Sequence, residues 1–184
     1  MIFTGPNALV YVLRSGLVVA GKHIDQARLP FPDDMLHNME VIDAPGFIEL
    51  CQKFFAERGL KHKRVLVILD NSIVFKKRIK LDQTGQPGTL AGAFVEAMPF
   101  ESGQRACISL ANDNELQLLA TNSDLYQTIV DALREIGVSK IIAVSPVAVY
   151  NLEGTNQRLS SVIDRLFKDK SSSKAANFLS VDTL

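Results

Sequence analysis

The sequence predicts an α/β protein whose sheet mixes parallel and antiparallel strands. Two observations carry that expectation. A helix ending at Gly59, a basic cluster and the apolar run Val65–Leu69 are echoed by a helix ending at Gly137, then Lys140 and Ile141–Val144. Each is a helix feeding a buried strand, the repeating unit of parallel pairing. Around them lie two hairpin patterns, Ala8–Leu13 with Leu17–Ile24 and Ala106–Leu110 with Glu115–Thr121. A helical bundle or a sandwich would not combine the two kinds of unit.

Each element has a local reason. Arg14-Ser15-Gly16 gives the first hairpin a tight turn. Residues 25–38 hold Pro30, Pro32, Asp33 and Asp34 and read as a turn-rich connection, with Met39–Ile42 a third short strand. Asp43 is a good N-cap and Pro45 suits a first turn, while Phe47, Leu50, Cys51, Phe54 and Phe55 recur at helical spacing before Gly59. Val65–Leu69 is apolar throughout, as in a strand covered on both faces, and Ile73–Leu81 follows across Asp70-Asn71-Ser72. Lys76, Lys77, Arg78 and Lys80 in that run invite a phosphate or lipid-headgroup reading. Strand alternation sends neighbouring side chains to opposite faces, which favours a solvated edge strand.

Gln83–Gly88 reads as a loop, and Leu90, Phe94, Ala97 and Met98 mark a short helix that stops near Pro99. The second hairpin turns at Ala111–Asn114. Ser123 is the expected cap of a helix whose Leu125, Ile129, Val130, Leu133 and Ile136 share a face until Gly137. Pro146 opens a short helix, and Thr155 caps another with Leu159, Val162, Ile163, Leu166 and Phe167 as its stripe. Ser171-Ser172-Ser173 reads as a linker.

At 184 residues, 47% hydrophobic and 22% charged, the chain suits one folded core and is unlike disordered or fibrous sequences. Twenty basic and twenty acidic residues cancel, so no global field favours a polyanion, and no nucleic-acid partner is expected. Cys51 and Cys107 have neither redox nor zinc spacing and read as buried free thiols. Ala8–Ala20 is interrupted by Arg14, Ser15 and Gly16 and is too short for a bilayer, so neither a signal peptide nor a span is expected and the cytoplasm is the expected compartment.

Phosphate-cradling glycine loops, the HExxH zinc pattern and the serine elbow are all missing, so no catalytic residue, metal or cofactor is expected. His23, His37 and His62 are scattered. His62, within Lys61–Arg64 after a helix end, complements the helix dipole, and Asp33-Asp34 reads as an exposed turn rather than a metal pair.

Between Glu40 and Leu152 the order of motifs resembles the PilM family of type IV pilus assembly proteins, relatives of the cell-division actin FtsA, and their type II secretion counterpart GspL. The residues are Val41-Ile42-Asp43 leading into the helix that ends Glu57-Arg58-Gly59-Leu60, Lys63–Leu69 with Ser72–Lys76, and Val95–Glu101. Leu116–Thr121, Leu125–Gly137 and Lys140–Val144 running into Val147–Leu152 complete the match. The resemblance implies a mixed-sheet actin-like, ribonuclease H-like first lobe. Residues 1–72 and 138–168 would build it, 73–137 would form a small inserted α+β subdomain, and 169–184 a flexible tail.

Nucleotide-binding members open with a strand ending in an Asp-x-Gly phosphate loop, where this chain has Val12-Leu13-Arg14-Ser15-Gly16. The sequence also stops where the second lobe would start. The resemblance therefore implies a non-catalytic scaffold on the cytoplasmic face of the inner membrane, peripheral to it. It would bind a PilN-like single-span membrane protein and other platform proteins of a pilus or secretion system. The implied partner-binding residues are Ile73, Phe75, Met98 and Phe100, with Asn177, Phe178 and Leu179 in the tail resembling the Asn-Leu-Leu-Pro-like segment of PilN. That tail would be a docking peptide, the end of a longer bitopic protein, or an unstructured terminus. The alternative is a degenerate actin-like ATPase or nucleotide switch completed by a second chain. A third reading is a small α/β regulatory domain that dimerises through Leu159–Phe167.

Overall fold

A computed structural model describes residues 6–80, 87–101, 103–112, 114–150 and 176–180. Five strands form the main sheet: β1 (Ala8–Leu13), β2 (Gly16–Gly21), β3 (Ile24–Pro30), β6 (Arg64–Leu69) and β10 (Lys140–Pro146), in the order β10-β6-β1-β2-β3. β1, β2 and β3 pair antiparallel in sequence, whereas β6 lies parallel to both β1 and β10. The two helix-to-strand units thus lie side by side, as their echo in the sequence implied. Between β3 and the first helix, β4 (Leu36–His37) and β5 (Glu40–Val41) make a minimal hairpin.

Helix α1 (Ala44–Glu57) starts where Asp43 accepts a hydrogen bond from the Gly46 amide and ends in a glycine-terminated turn. There Gly59 N–H bonds Ala56 O and Leu60 N–H bonds Phe55 O, with Gly59 at φ 67°. Helix α3 (Ser123–Glu135) repeats the device with Gly137 to Arg134 and Val138 to Leu133, Gly137 at φ 78°. Its N-cap is Asn122, whose Oδ1 accepts from Asp124 N, rather than the expected Ser123, which falls inside the first turn.

Strand alternation assigns the two faces. Val10, Val12, Val19, Val65, Val67 and Val144 point toward α1 and α3, where Phe47, Phe54, Phe55, Ile129 and Leu133 complete a core. Leu9, Tyr11, Val18, Leu66, Ile68 and Ala143 form a second buried cluster with Val147 and Tyr150 on the other face. Burial on both faces explains why β6 is apolar at every position after Arg64.

The inserted segment supplies a three-stranded antiparallel sheet, β7 (Phe75–Lys80), β9 (Glu115–Asn122) and β8 (Arg105–Asn112), in the order β7-β9-β8, with helix α2 (Pro87–Glu96) beside it. β7 does not pair with β6. A 3-10 turn at Asn71–Ile73, capped by Asp70, redirects the chain, and Thr121 Oγ1 donates to Ile73 O at 2.7 Å. Although α3 closes the insertion in sequence, it packs against α1, and the cores of the two sheets are one contiguous cluster.

Four further expectations differ from what is observed. Residues 25–30, expected as part of a connection, belong to β3, a half-exposed edge strand whose pairing comes from β2 and whose own pattern is too polar to announce it. The expected strand Leu17–Ile24 is divided by a turn at Lys22 and His23, with His23 at φ 62°. His62 acts through its backbone, N–H to Gly137 O at φ 61°, and lies beyond the last turn of α1, where a dipole effect has decayed. Pro146 ends β10, and Val147–Tyr150 follows as a short 3-10 turn. The expected helix from Thr155 through Phe167 and the serine linker lie outside the described residues.

Candidate functional site

At the carboxyl ends of β1 and β6, the place of a phosphate loop is taken by a two-residue turn, Arg14-Ser15, which joins Leu13 to Gly16. Its polar groups are engaged within the chain. The Arg14 guanidinium donates to Asn38 Oδ1 at 3.0 Å, the Arg14 amide donates to Ser72 Oγ, and Arg28 donates to Ser15 Oγ at 2.8 Å. The acidic group at this end of the sheet is Asp70, a half-buried carboxylate that closes β6. Tyr11 OH donates to its Oδ2 at 2.6 Å, and Ser72 N donates to its Oδ1 at 2.8 Å.

Burial alone would raise the Asp70 carboxyl, but the hydrogen bonds from Tyr11, Ser72 and Asn71 outweigh it and hold the group below the usual aspartate value. Burial and the adjacent carboxylate push the Tyr11 phenol far above the ordinary tyrosine range. The pair therefore persists as neutral phenol and anionic carboxylate, tying the ends of two parallel strands across 59 positions of sequence. Asp70 appears in the sequence only as a turn residue, and no local signal links it to Tyr11. Among the described residues no three His, Cys, Asp or Glu side chains converge as metal ligands would.

The seven residues expected to bind a partner fall into two groups. Ile73, Phe75, Met98 and Phe100 gather between β7, α2 and the turn that follows it. Ile73, Met98 and Phe100 are buried, and Phe75 packs edge-on against Phe100 at 5.7 Å between ring centroids. Arg105 Nε anchors the Phe100 carbonyl at 2.7 Å. In this state the group is the core of the insertion and offers a partner only the half-exposed edge of Phe75.

The second group differs from the expected flexible tail. Ala176–Ser180 lies against the main lobe, with Phe178 fully buried beside Tyr126 of α3, ring centroids 5.8 Å apart. Asn177 Oδ1 accepts from Val144 N of β10 at 2.9 Å and from Leu179 N at 3.2 Å, which starts a 3-10 turn at Phe178–Ser180. Leu179 is half-buried and Ser180 exposed. β10 is the outer strand of its sheet, so the Asn177 carboxamide supplies an acceptor that a further strand would otherwise provide. A lone phenylalanine after a serine run has no periodicity to reveal this, because the slot is made by α3, β8 and β10. The rest of 169–184 lies outside the described residues.

β7 is the solvated edge strand expected from its charges. Lys76, Arg78 and Lys80 project to one face and Phe75, Lys77 and Ile79 to the other, with all four cations exposed. Of the thiols, Cys51 is buried and pushed up to about 12 by desolvation, while Cys107 is only half-buried. No helix among the described residues is long and apolar enough to cross a membrane.

This arrangement of strands and helices matches known structures. A structure of the PilM-PilN type IV pilus biogenesis complex superposes with a TM-score of 0.53 over 82% of this chain, at 14% identity. The fold is PilM-like. It is a mixed α/β architecture, as the motif order implied, and the chain spans 50% of the length of that PilM-PilN complex chain. The cytoplasmic domain of EpsL, an inner membrane component of the type II secretion system of Vibrio cholerae, aligns over 78% of this chain and 58% of its own, with TM-score 0.49 and 10% identity. A Bacteroides thetaiotaomicron protein with actin-like ATPase fold and unknown function aligns over 80% and 54%, with TM-score 0.44 and 9% identity. No protein-family model and no curated relative matches the sequence.

Proposed function

We propose that the protein is a non-catalytic scaffold of a type IV pilus or type II secretion assembly platform, holding the cytoplasmic segment of a PilN-like single-span membrane protein at the inner face of the cytoplasmic membrane. The observation that carries this reading is the pairing of a PilM-like fold with an Arg14-Ser15 turn whose polar groups are spent on Asn38, Ser72 and Arg28. An acidic residue to organise magnesium is absent from that turn, and the neighbouring carboxylate, Asp70, is occupied by Tyr11 and Ser72. What such a lobe retains is its capacity to present surfaces: the outer strand β10, the edge strand β7 and the seam between the two sheets.

The test is affinity capture of the tagged full chain from its native membranes, with partners identified by mass spectrometry, beside a magnesium-ATP titration. Recovery of a single-span pilus or secretion component, with no saturable ATP binding at millimolar nucleotide, is the expected result. Recovery of no envelope protein would sink the scaffold. ATP binding that disappears in Arg14→Ala would favour the degenerate nucleotide switch completed by a second chain.

A further inference from the structure

We propose that Ala176–Ser180 is a displaceable plug, a segment of the chain that occupies its own peptide-docking slot between α3, β8 and β10 and must leave before a partner's segment of the same chemistry can enter. This rests on the scaffold reading, since it concerns how that scaffold would be kept closed. Three features point to a docked peptide rather than an integral element of the fold.

The segment joins no sheet. It is attached by side chains, the fully buried Phe178 ring against Tyr126, the buried Ala176 and the half-buried Leu179, and by one carboxamide, Asn177 Oδ1 accepting from the outer N–H of Val144. Within the segment Ser180 N and Oγ both donate to Asn177 O and Leu179 N donates to Asn177 Oδ1, while Phe178 O accepts from Tyr126 OH at 3.5 Å. It therefore carries its local conformation with it when it departs.

The slot's demands are simple: an acceptor for an edge amide and, one residue later, a large apolar side chain. Any segment presenting Asn followed by a bulky apolar residue in the same turn meets both, so the partner chemistry is the same as that of the plug. A tethered copy competes at an effective concentration on the order of millimolar, so it raises the concentration at which a free segment binds without changing the slot itself.

The experiment uses the full chain and a fluorescein-labelled peptide with the sequence Lys174–Asp182, followed by fluorescence polarisation. Phe178→Ala vacates the slot and is expected to bind the peptide at least tenfold more tightly than the unsubstituted chain. Peptides carrying alanine for Asn177 or for Phe178 are expected to lose that binding. Asn177→Ala keeps the ring and is expected to give an intermediate gain, which preserves the test if Phe178→Ala does not fold. Equal binding by all three chains, or none by a folded Phe178→Ala, would overturn the proposal.

Capture from native membranes then separates the two claims. Peptide exchange without any envelope partner keeps the plug and removes the scaffold reading. A pilus or secretion partner recovered equally by the unsubstituted and Phe178→Ala chains keeps the scaffold and overturns the plug.

Discussion

The two sheets of this lobe obey different rules. In the five-stranded sheet β6 is covered on both faces, each strand is apolar wherever a helix or the Val147–Tyr150 turn meets it, and the polar Tyr11–Asp70 pair locks the strand ends. In the three-stranded sheet β7 keeps Phe75 and Ile79 half-buried and exposes four cations on a strand that is outermost among the described residues. The difference teaches where to look for stability and where for contacts. Among the described residues the faces of the main sheet are covered and only its outer strands β3 and β10 are open to contacts, whereas the insertion presents the charged edge of β7.

That contrast predicts a graded series of effects. Phe55→Ala, in the core between α1 and the main sheet, is expected to cost about 3–5 kcal/mol in chemical denaturation. Phe75→Ala, whose half-exposed ring loses one edge-on partner, is expected to cost about 1–2 kcal/mol. Equal losses would mean that the two sheets share the load.

Tyr11→Phe removes a donor from a half-buried carboxylate and is expected to cost about 1–3 kcal/mol. The substitution also changes the acid limb. Because Asp70 is held below the usual aspartate value, its contribution is present above that value and disappears as pH falls through the folded one. Without the phenol that contribution is smaller, so the acid limb of Tyr11→Phe is shallower and its loss is complete at higher pH. The phenol, raised in the folded state, contributes fully below the usual tyrosine range, and that contribution is lost as pH climbs above about 10 toward the folded value. An unchanged acid limb in Tyr11→Phe would show that the pair does not lock the strand ends.

Gly137→Ala is expected to cost about 1 kcal/mol. The φ of 78° strains an L residue, although an added Cβ would meet only Lys61 Cε at 4.0 Å. Lys76→Glu on the exposed edge of β7 is expected to stay within about 0.5 kcal/mol. A larger loss there would mean that the edge does structural work.

Much of the fold was legible because its signals are local: the Asp43 cap, the paired glycine stops at Gly59 and Gly137, and the unbroken apolar run of β6. β3 escaped because an edge strand of Ile24-Asp25-Gln26-Ala27-Arg28-Leu29-Pro30 draws its order from β2 rather than from its own composition. The site was less legible. Tyr11 meets Asp70 and Phe178 meets Tyr126 across more than fifty positions, and only the assembled sheets bring them together. Asn177-Phe178-Leu179 carried a recognisable pattern, yet nothing local indicated that the chain itself would hold it.

Site-specific photocrosslinking in native cells tests the central claim most directly. A benzophenone side chain at Ser109, exposed on β8, a strand that helps to make the slot, and one at Glu49, exposed on α1, would be compared. An adduct from Ser109, absent from Glu49, with a single-span component of a pilus or secretion platform is the predicted result. Adducts with soluble proteins alone, or none from either position, would contradict it.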